Sequence, residues 1–101
     1  MGWHKVTTVD EIPEDEVRGF YIEGTQIGIS NVEGEYFCFE NICTHAYALL
    51  SDGFLDGDKI ECPLHQGLFC VRDGKAVDGP VDVDLRTFPL KIENDEIFVE
   101  I

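Results

Sequence analysis

The sequence contains few basic residues. It has seven Lys and Arg against 21 Asp and Glu in 101 residues, so its formal net charge is −14. A charge of this sign and size repels phosphate groups, which argues against nucleic acid or an anionic membrane surface as a partner. It favours a partner protein with a basic surface.

Long apolar runs are also absent. The first sixteen residues lack the apolar stretch of a signal peptide, and no segment is long enough to span a bilayer. We therefore expect no membrane insertion and a cytoplasmic location. In that compartment cysteines are more often metal ligands or free thiols than disulfides.

Short β-like runs, separated by turn signals, make up most of the chain. The runs cover residues 17–23, 26–32, 35–40, 88–93 and 96–101. Turns are predicted at Gly24-Thr25, Glu33-Gly34, Asp56-Gly57 and Asn94-Asp95. A helical turn is predicted only within residues 8–16, where Pro13 limits its length. Because no linker or repeat is visible, residues 1–101 are predicted to form one all-β domain, an antiparallel sandwich or barrel.

Histidine and cysteine are scarce, with three and four residues respectively, yet most of them occur in two tight pairs. Cys43 is followed by His45, and Cys62 by His65, with sixteen residues between the pairs. Four such ligands suit either zinc or an iron–sulfur cluster. Common zinc fingers group the two cysteines together, whereas here each loop supplies one cysteine and one histidine. That mixed supply suits a two-iron cluster with both cysteines on one iron and both histidines on the other.

The segments "CTH" and "CPLHQG" resemble the signature of Rieske [2Fe–2S] proteins. The chain length, Trp3 and the all-β pattern resemble the small Rieske ferredoxins of bacterial aromatic-ring dioxygenase systems. The resemblance implies a Rieske-like antiparallel sandwich or barrel with a small cluster-binding subdomain of two loops, at about residues 41–71. It also implies one cluster per chain.

The resemblance implies a role for each ligand. Cys43 and Cys62 would bind the inner iron as thiolates, and His45 and His65 would bind the outer, solvent-facing iron. Gly79-Pro80 resembles the third loop of the family, which covers the cluster.

The partners implied are an NAD(P)H-dependent flavin reductase and a terminal oxygenase that hydroxylates aromatic compounds, so the chain is predicted to be an electron carrier and not an enzyme. Two alternatives remain open on the residues alone. One is a zinc-stapled interaction module, and the other is a small subunit of a reductase.

The resemblance also predicts a low redox potential. Respiratory and photosynthetic Rieske proteins carry an extra, disulfide-forming cysteine in each box, and the matching positions here are Ala48 and Leu64. Those proteins also place a serine and a tyrosine, whose hydroxyls bond the cluster sulfurs, where this chain has Gly67 and Phe69. Hydroxyl bonds to sulfur stabilise the reduced state, so their absence predicts a potential near the lower end of the Rieske range, about −150 mV.

The other histidine and the other two cysteines are not predicted to be ligands. His4 is predicted to be a surface residue and Cys38 a core thiol, and the family motif gives Cys70 no ligand role.

Residues 41–51 and 62–71 contain no charged side chain. If both segments meet at the cluster, the tip of the molecule is uncharged, and Tyr47 is predicted to lie there and contact a partner. Nearby acidic residues are predicted to form a rim around this tip: Asp52, Asp56, Asp58 and Glu61.

Overall fold

The computed structural model describes residues 2–44, 47–64, 66–78 and 83–101. Within these ranges the regular structure consists of eleven β-strands and two 3-10 turns, and no α-helix is present. The strands are β1 (Trp3–Thr8), β2 (Val17–Ile22), β3 (Thr25–Val32), β4 (Glu35–Glu40), β5 (Phe54–Asp56), β6 (Lys59–Glu61), β7 (Leu68–Cys70), β8 (Ala76–Asp78), β9 (Thr87–Phe88), β10 (Leu90–Glu93) and β11 (Glu96–Glu100). The 3-10 turns are Val9–Glu11 and Leu50–Asp52.

The strands form three antiparallel sheets. One has the order β1-β11-β10, a second β2-β3-β4-β9, and a third β5-β6-β7-β8. We call the first two the base sheets and the third the loop sheet. The sheets pack as a sandwich, and among the described residues none of them closes into a barrel. The predicted all-β antiparallel fold is confirmed.

Residues with positive φ form the tight turns between neighbouring strands. Asn94 and Asp95 have φ of 53° and 64°, and Glu33 and Gly34 have 51° and 90°. Two successive residues of this kind match the twist of the flanking strands, which is why a two-residue connection suffices. Both turns were predicted from the sequence, and both are confirmed.

Two other predicted turns lie one residue away from the expected place. The turn between β2 and β3 is Glu23–Gly24, because Thr25 already pairs with Ile22. The turn between β5 and β6 is Gly57–Asp58, because Asp56 pairs with Lys59. The predicted helical turn within residues 8–16 is the 3-10 turn Val9–Glu11, which ends just before Ile12 and Pro13.

Two apolar cores hold the sheets together. The base core is formed by Ile12, Ile27, Ile29, Cys38, Phe88, Ile97 and Val99. The loop core is formed by Val32, Phe39, Cys43, Leu50, Ile60, Cys62, Phe69, Val71 and Leu85. Both cysteines of the two Cys/His pairs therefore belong to the same core. No helix in the described ranges is long and apolar enough to cross a membrane.

Candidate metal centre

Cys43 and Cys62 occupy matching positions in two loops. The first loop follows β4 and ends in the 3-10 turn Leu50–Asp52, and the second connects β6 to β7. The Cys43 N–H donates to the carbonyl of Ala48 (2.9 Å), and the Cys62 N–H donates to the carbonyl of Gly67 (2.8 Å). Each loop is thus closed by one hydrogen bond from its cysteine to the fifth residue after it. The two cysteines thus occupy equivalent positions with respect to this hydrogen bond.

The two cysteines are buried among apolar side chains. Cys43 is 4% exposed and Cys62 is fully buried, and both lie in the loop core with Leu50, Ile60 and Phe69. An isolated thiolate is unfavourable in such surroundings, but a thiolate bonded to a metal is not, since the metal offsets its charge. Thiolates are also the ligands that iron–sulfur clusters require. The donor chemistry therefore fits a cluster held between the loops.

Several predicted site residues fall outside the part of the chain that the structure describes. These residues are His45, His65, Gly79 and Pro80. Their neighbours Thr44, Leu64 and Gln66 are described.

The bases of the two loops are in close backbone contact. A Cβ atom added at Gly53 would lie 1.9 Å from the carbonyl oxygen of Glu61, the residue before Cys62. Only glycine fits at this position, because real Cβ atoms do not approach an oxygen so closely. The end of the first loop is thereby packed directly against the start of the second.

Thr44 links the first loop to a third segment of the chain. Its hydroxyl donates to the carbonyl of Val83 (2.6 Å), just after the region predicted to cover the cluster. That segment is anchored in turn, because Leu85 is buried in the loop core and its N–H donates to the carbonyl of Gly74 (2.7 Å).

An apolar groove of about 400 Å³ opens between the two loops. It is lined by Ile42, Tyr47, Ala48, Leu49, Asp52, Pro63 and Leu64. Tyr47 is 88% exposed and Leu64 is 60% exposed. Exposed apolar side chains around a groove are typical of protein contact sites. The predicted exposure of Tyr47 is confirmed.

The other two cysteines and His4 lie on strands of the three sheets. Cys38 is 3% exposed in the base core, and burial raises the pKa of its thiol to about 12, so it is neutral at physiological pH. It is the core thiol that the sequence predicted. His4 lies half-buried on β1 opposite Val99, in a different sheet from the two loops. Cys70 is half-buried on β7.

Asp58 does not take part in the predicted acidic rim as an unpaired carboxylate. Its carboxylate accepts hydrogen bonds from Lys59 and from Nε of Arg72 (3.1 Å). These bonds hold the pKa of Asp58 below its ordinary value. Asp58 is therefore paired with two cations at the β5–β6 turn, away from the loop ends of these strands. Asp52 is exposed and lines the groove, so it keeps the predicted position.

Comparison with known proteins identifies the family. Residues 2–89 match the family model of the Rieske [2Fe–2S] domain. The chain belongs to the Rieske ferredoxins. It is 46% identical to the ferredoxin component of the naphthalene 1,2-dioxygenase/salicylate 5-hydroxylase systems of Ralstonia sp., over 99% of this chain and 96% of that protein. The predicted [2Fe–2S] cofactor class and the role of electron-transfer component, not enzyme, are confirmed at the level of the family.

Solved structures agree with this assignment. The ferredoxin superposes on that of Sphingomonas yanoikuyae B1 with a TM-score of 0.94 and 33% identity, covering 99% of each chain. It also superposes with a TM-score of 0.92 and 34% identity on a chain from the complex of reduced oxygenase and oxidized ferredoxin in carbazole 1,9a-dioxygenase, covering 96% of this chain and 91% of that one.

The sequence analysis missed three polar residues of the first loop. Asn41, Thr44 and Ser51 were predicted only as part of an uncharged stretch. The side chains of Asn41 and Ser51 bond each other and join the two ends of the loop, and Thr44 bonds the distant carbonyl of Val83. The available signal was weak: only Thr44 stands directly beside predicted ligands, between Cys43 and His45. The sequence alone does not say which distant group such a residue reaches.

Proposed function

We propose that residues 1–101 act as one ferredoxin domain that carries single electrons in the cytoplasm. It would accept them from an NAD(P)H-dependent flavin reductase and deliver them to a terminal Rieske oxygenase that hydroxylates an aromatic compound. The observation that carries this proposal is the matched, buried placement of Cys43 and Cys62 in a chain of the Rieske ferredoxin family. The relatives named as ferredoxin components of dioxygenase systems support the choice of partner.

The proposed cluster-binding part is residues 41–71. When bound, a Rieske cluster supplies one-electron redox chemistry. Cys43 and Cys62 would hold the inner iron as thiolates, and the loop core around them excludes water from that side. His45 and His65 would hold the outer, solvent-facing iron, as the family resemblance implies, and would form the route by which the electron leaves.

The same part of the chain supports a low midpoint potential, about −150 mV. Gly67 carries no side chain, and its carbonyl is engaged with the N–H of Cys62. Phe69 is fully buried in the loop core and carries no hydroxyl. Neither position offers a hydroxyl that would stabilise the reduced state, and the net charge of −14 opposes the addition of an electron.

Metal analysis of the purified protein separates a cluster from a zinc site. A red-brown protein with two iron atoms and two acid-labile sulfides per chain is the expected result. A colourless protein containing zinc would overturn the proposal and support the zinc-stapled module. Turnover of an aromatic substrate after mixing with a reductase and a terminal oxygenase then tests the carrier role.

The ligand assignment is tested by single substitutions. We expect Cys43→Ala and Cys62→Ala to abolish cluster assembly, and His45→Ala and His65→Ala to lose or degrade the cluster because the outer iron opens to water. His4→Ala is the control, since His4 lies in another sheet. The visible absorption spectrum of each variant shows whether the cluster is present. A bleached His4→Ala beside an intact His65→Ala would contradict the assignment.

A further inference from the structure

A buried asparagine lies two residues before Cys43. The side chain of Asn41 is 1% exposed and makes two hydrogen bonds with a single partner, Ser51. Its Nδ2 donates to the Ser51 hydroxyl (2.9 Å), and its Oδ1 accepts from the Ser51 N–H (2.9 Å). The orientation of the amide is fixed by this pairing, because a backbone N–H can only donate.

Main-chain hydrogen bonds reinforce the contact. The Leu50 N–H donates to the Asn41 carbonyl (2.8 Å), and the Asn41 N–H donates to the carbonyl of Gln26 on β3 (2.9 Å). The two ends of the first loop are therefore joined to each other and to the base sheet. Asn41 and Ser51, with these bonds, are called the Asn41–Ser51 latch below.

The base sheet has a notch that receives the latch. Gly19 on β2 and Gly28 on β3 are directly paired across the sheet. A Cβ atom at Gly19 would lie 2.7 Å from both Asn41 Nδ2 and Ser51 Oγ. One at Gly28 would lie 3.1 Å from Asn41 Oδ1. The absence of a side chain at Gly19 thus makes room for the Asn41–Ser51 pair, and the absence of one at Gly28 makes room for the Phe39 ring and for the Asn41 amide.

We propose that the Asn41–Ser51 latch is a positioning device for the first loop, and that it determines how firmly this loop holds its side of the cluster. The latch residues are not ligands, and the proposal rests on the electron-carrier function proposed above. Cys43 is bonded to Ala48 within the loop, but that bond fixes the loop only to itself. The latch joins the two ends of the loop to each other and, through the Asn41 N–H and the Gln26 carbonyl, to β3 of the base sheet.

Breaking the latch should therefore act on the cluster more than on the fold. The bonds that hold the base sheets and their core remain intact, so global unfolding changes little. The first loop, however, gains freedom to move away from the second, which exposes the irons to water and to chelators. The loss of one buried hydrogen bond corresponds to about a fivefold change in such an opening equilibrium.

Ser51→Ala removes the hydroxyl that accepts from Asn41, and the chain offers a matched control. Ser30 on β3 is fully buried, and its hydroxyl has no hydrogen-bond partner among the described residues. Ser30→Ala makes the same chemical change without breaking a bond. On the cluster-loaded protein, we expect an excess of iron chelator to bleach Ser51→Ala about fivefold faster than wild type, and Ser30→Ala at the wild-type rate.

A spectroscopic measurement distinguishes positioning of the cluster from general support of the fold. We expect the reduced Ser51→Ala protein to show shifted or broadened electron paramagnetic resonance lines, while Ser51→Thr, which keeps the hydroxyl, retains the wild-type spectrum. Gly19→Ala is a second variant. It keeps every hydrogen-bonding group but introduces a methyl group into the notch, and it should reproduce the Ser51→Ala effect.

Two results would overturn the inference. One is equal bleaching rates for Ser51→Ala and Ser30→Ala. The other is a faster rate that comes with an unchanged resonance spectrum and a matching fall in the unfolding temperature, which would indicate a structural role alone. Either result leaves the carrier function intact if wild type contains the cluster, whereas a wild-type protein without iron would refute the carrier function itself.

Discussion

Phe69 is the residue at which one missing hydroxyl group is expected to affect the redox potential of the proposed cluster. Its ring is fully buried in the loop core with Cys43 and Cys62, at the position where higher-potential Rieske proteins carry a tyrosine. We expect Phe69→Tyr to raise the midpoint potential by tens of millivolts, because a hydroxyl bonded to a cluster sulfur stabilises the reduced state. Redox titration followed by visible absorbance measures the change.

Phe88→Tyr is the control for this experiment. Phe88 is buried in the base core, so the same added hydroxyl has no access to the centre. An equal shift in both variants would show that the effect is not local. A Phe69→Tyr protein with the wild-type potential would contradict the proposed link between the missing hydroxyl and a low midpoint potential.

Thr44 is a second residue whose contribution can be isolated. Its hydroxyl donates to the Val83 carbonyl and ties the first loop to the segment that follows residues 79–82. Thr44→Val keeps the shape of the side chain and removes this bond. We expect faster loss of the visible spectrum in air than in wild type, by about fivefold, because solvent reaches the centre more often. Thr25→Val on β3 is the matched control and should decay at the wild-type rate.

At the level of elements, Arg72 connects the loop sheet to a base sheet. It follows β7 in the chain, and its Nη1 donates to Glu35 on β4 (3.2 Å) while its Nε donates to Asp58 (3.1 Å). Its guanidinium also lies 5.1 Å from the ring centre of Phe37. One side chain thus bridges two sheets by two ion pairs and a cation–π contact.

Removing this bridge should lower stability in a pH-dependent way. Arg72→Met keeps the apolar part of the side chain and removes the charge. Hydrogen bonds from Lys59 and Arg72 lower the pKa of Asp58, so the stabilisation is present at neutral pH and is lost as the pH falls through that lowered pKa. We expect the urea midpoint of Arg72→Met to lie below that of wild type at neutral pH, and the two midpoints to converge in acid.

Arg18→Met provides the comparison for Arg72→Met. Arg18 pairs with Glu16, two residues away, and so joins no separate elements. Its substitution should leave the urea midpoint nearly unchanged, as is usual for exposed ion pairs. Equal effects of the two substitutions would contradict a bridging role for Arg72.

The elements also show what the sequence could and could not predict. Turns such as Asn94-Asp95 follow from local chemistry, since these residues tolerate positive φ, and they were predicted correctly. The assignment of the two Cys/His pairs as ligands rests on their spacing and stays a prediction, since His45 and His65 lie outside the described residues. The role of Asn41 could not be predicted, because it depends on a notch made by Gly19 and Gly28, more than ten residues away along the chain. The pairing of Asp58 with Arg72 depends likewise on the register of β6 and β7, in which Lys59 lies opposite Cys70.

At the level of the whole molecule, charge and the exposed groove together favour a specific mode of docking. The chain carries a net charge of −14, while the groove between the loops is apolar, and Asp52 is the acidic residue among the described residues that line it. A partner with basic surroundings and an apolar contact would be attracted at long range and then held at the groove. In this arrangement the charges would raise the association rate, and the apolar side chains would provide most of the affinity.

Salt dependence tests the electrostatic half of this model. We expect electron transfer to the terminal oxygenase to slow as ionic strength rises, mainly through the association rate, because salt screens the attraction between exposed charges. Stopped-flow kinetics at several salt concentrations gives the association rate directly. A rate independent of ionic strength would remove the support for steering.

Tyr47→Ala tests the apolar half of the model. Tyr47 lines the groove and is 88% exposed, so its removal should weaken the complex without shifting the midpoint potential. Tyr21→Ala is the control, because Tyr21 is also exposed (66%) but lies on β2 in a base sheet. Titration of the oxygenase with each variant measures the affinity. Equal affinities for the two variants would place the contact elsewhere.

The hydrogen bonds that close the two loops at Cys43 and Cys62 have a consequence for molecular engineering. Each bond fixes its cysteine at the base of its loop, so we expect that exposed residues enclosed by the bond, such as Tyr47 and Leu64, can be replaced with little effect on the thiols. The buried thiols and the exposed contact residues are therefore expected to be separable by mutation. Transplanting the exposed loop residues of another ferredoxin should redirect this carrier to a different oxygenase while its spectrum stays the same.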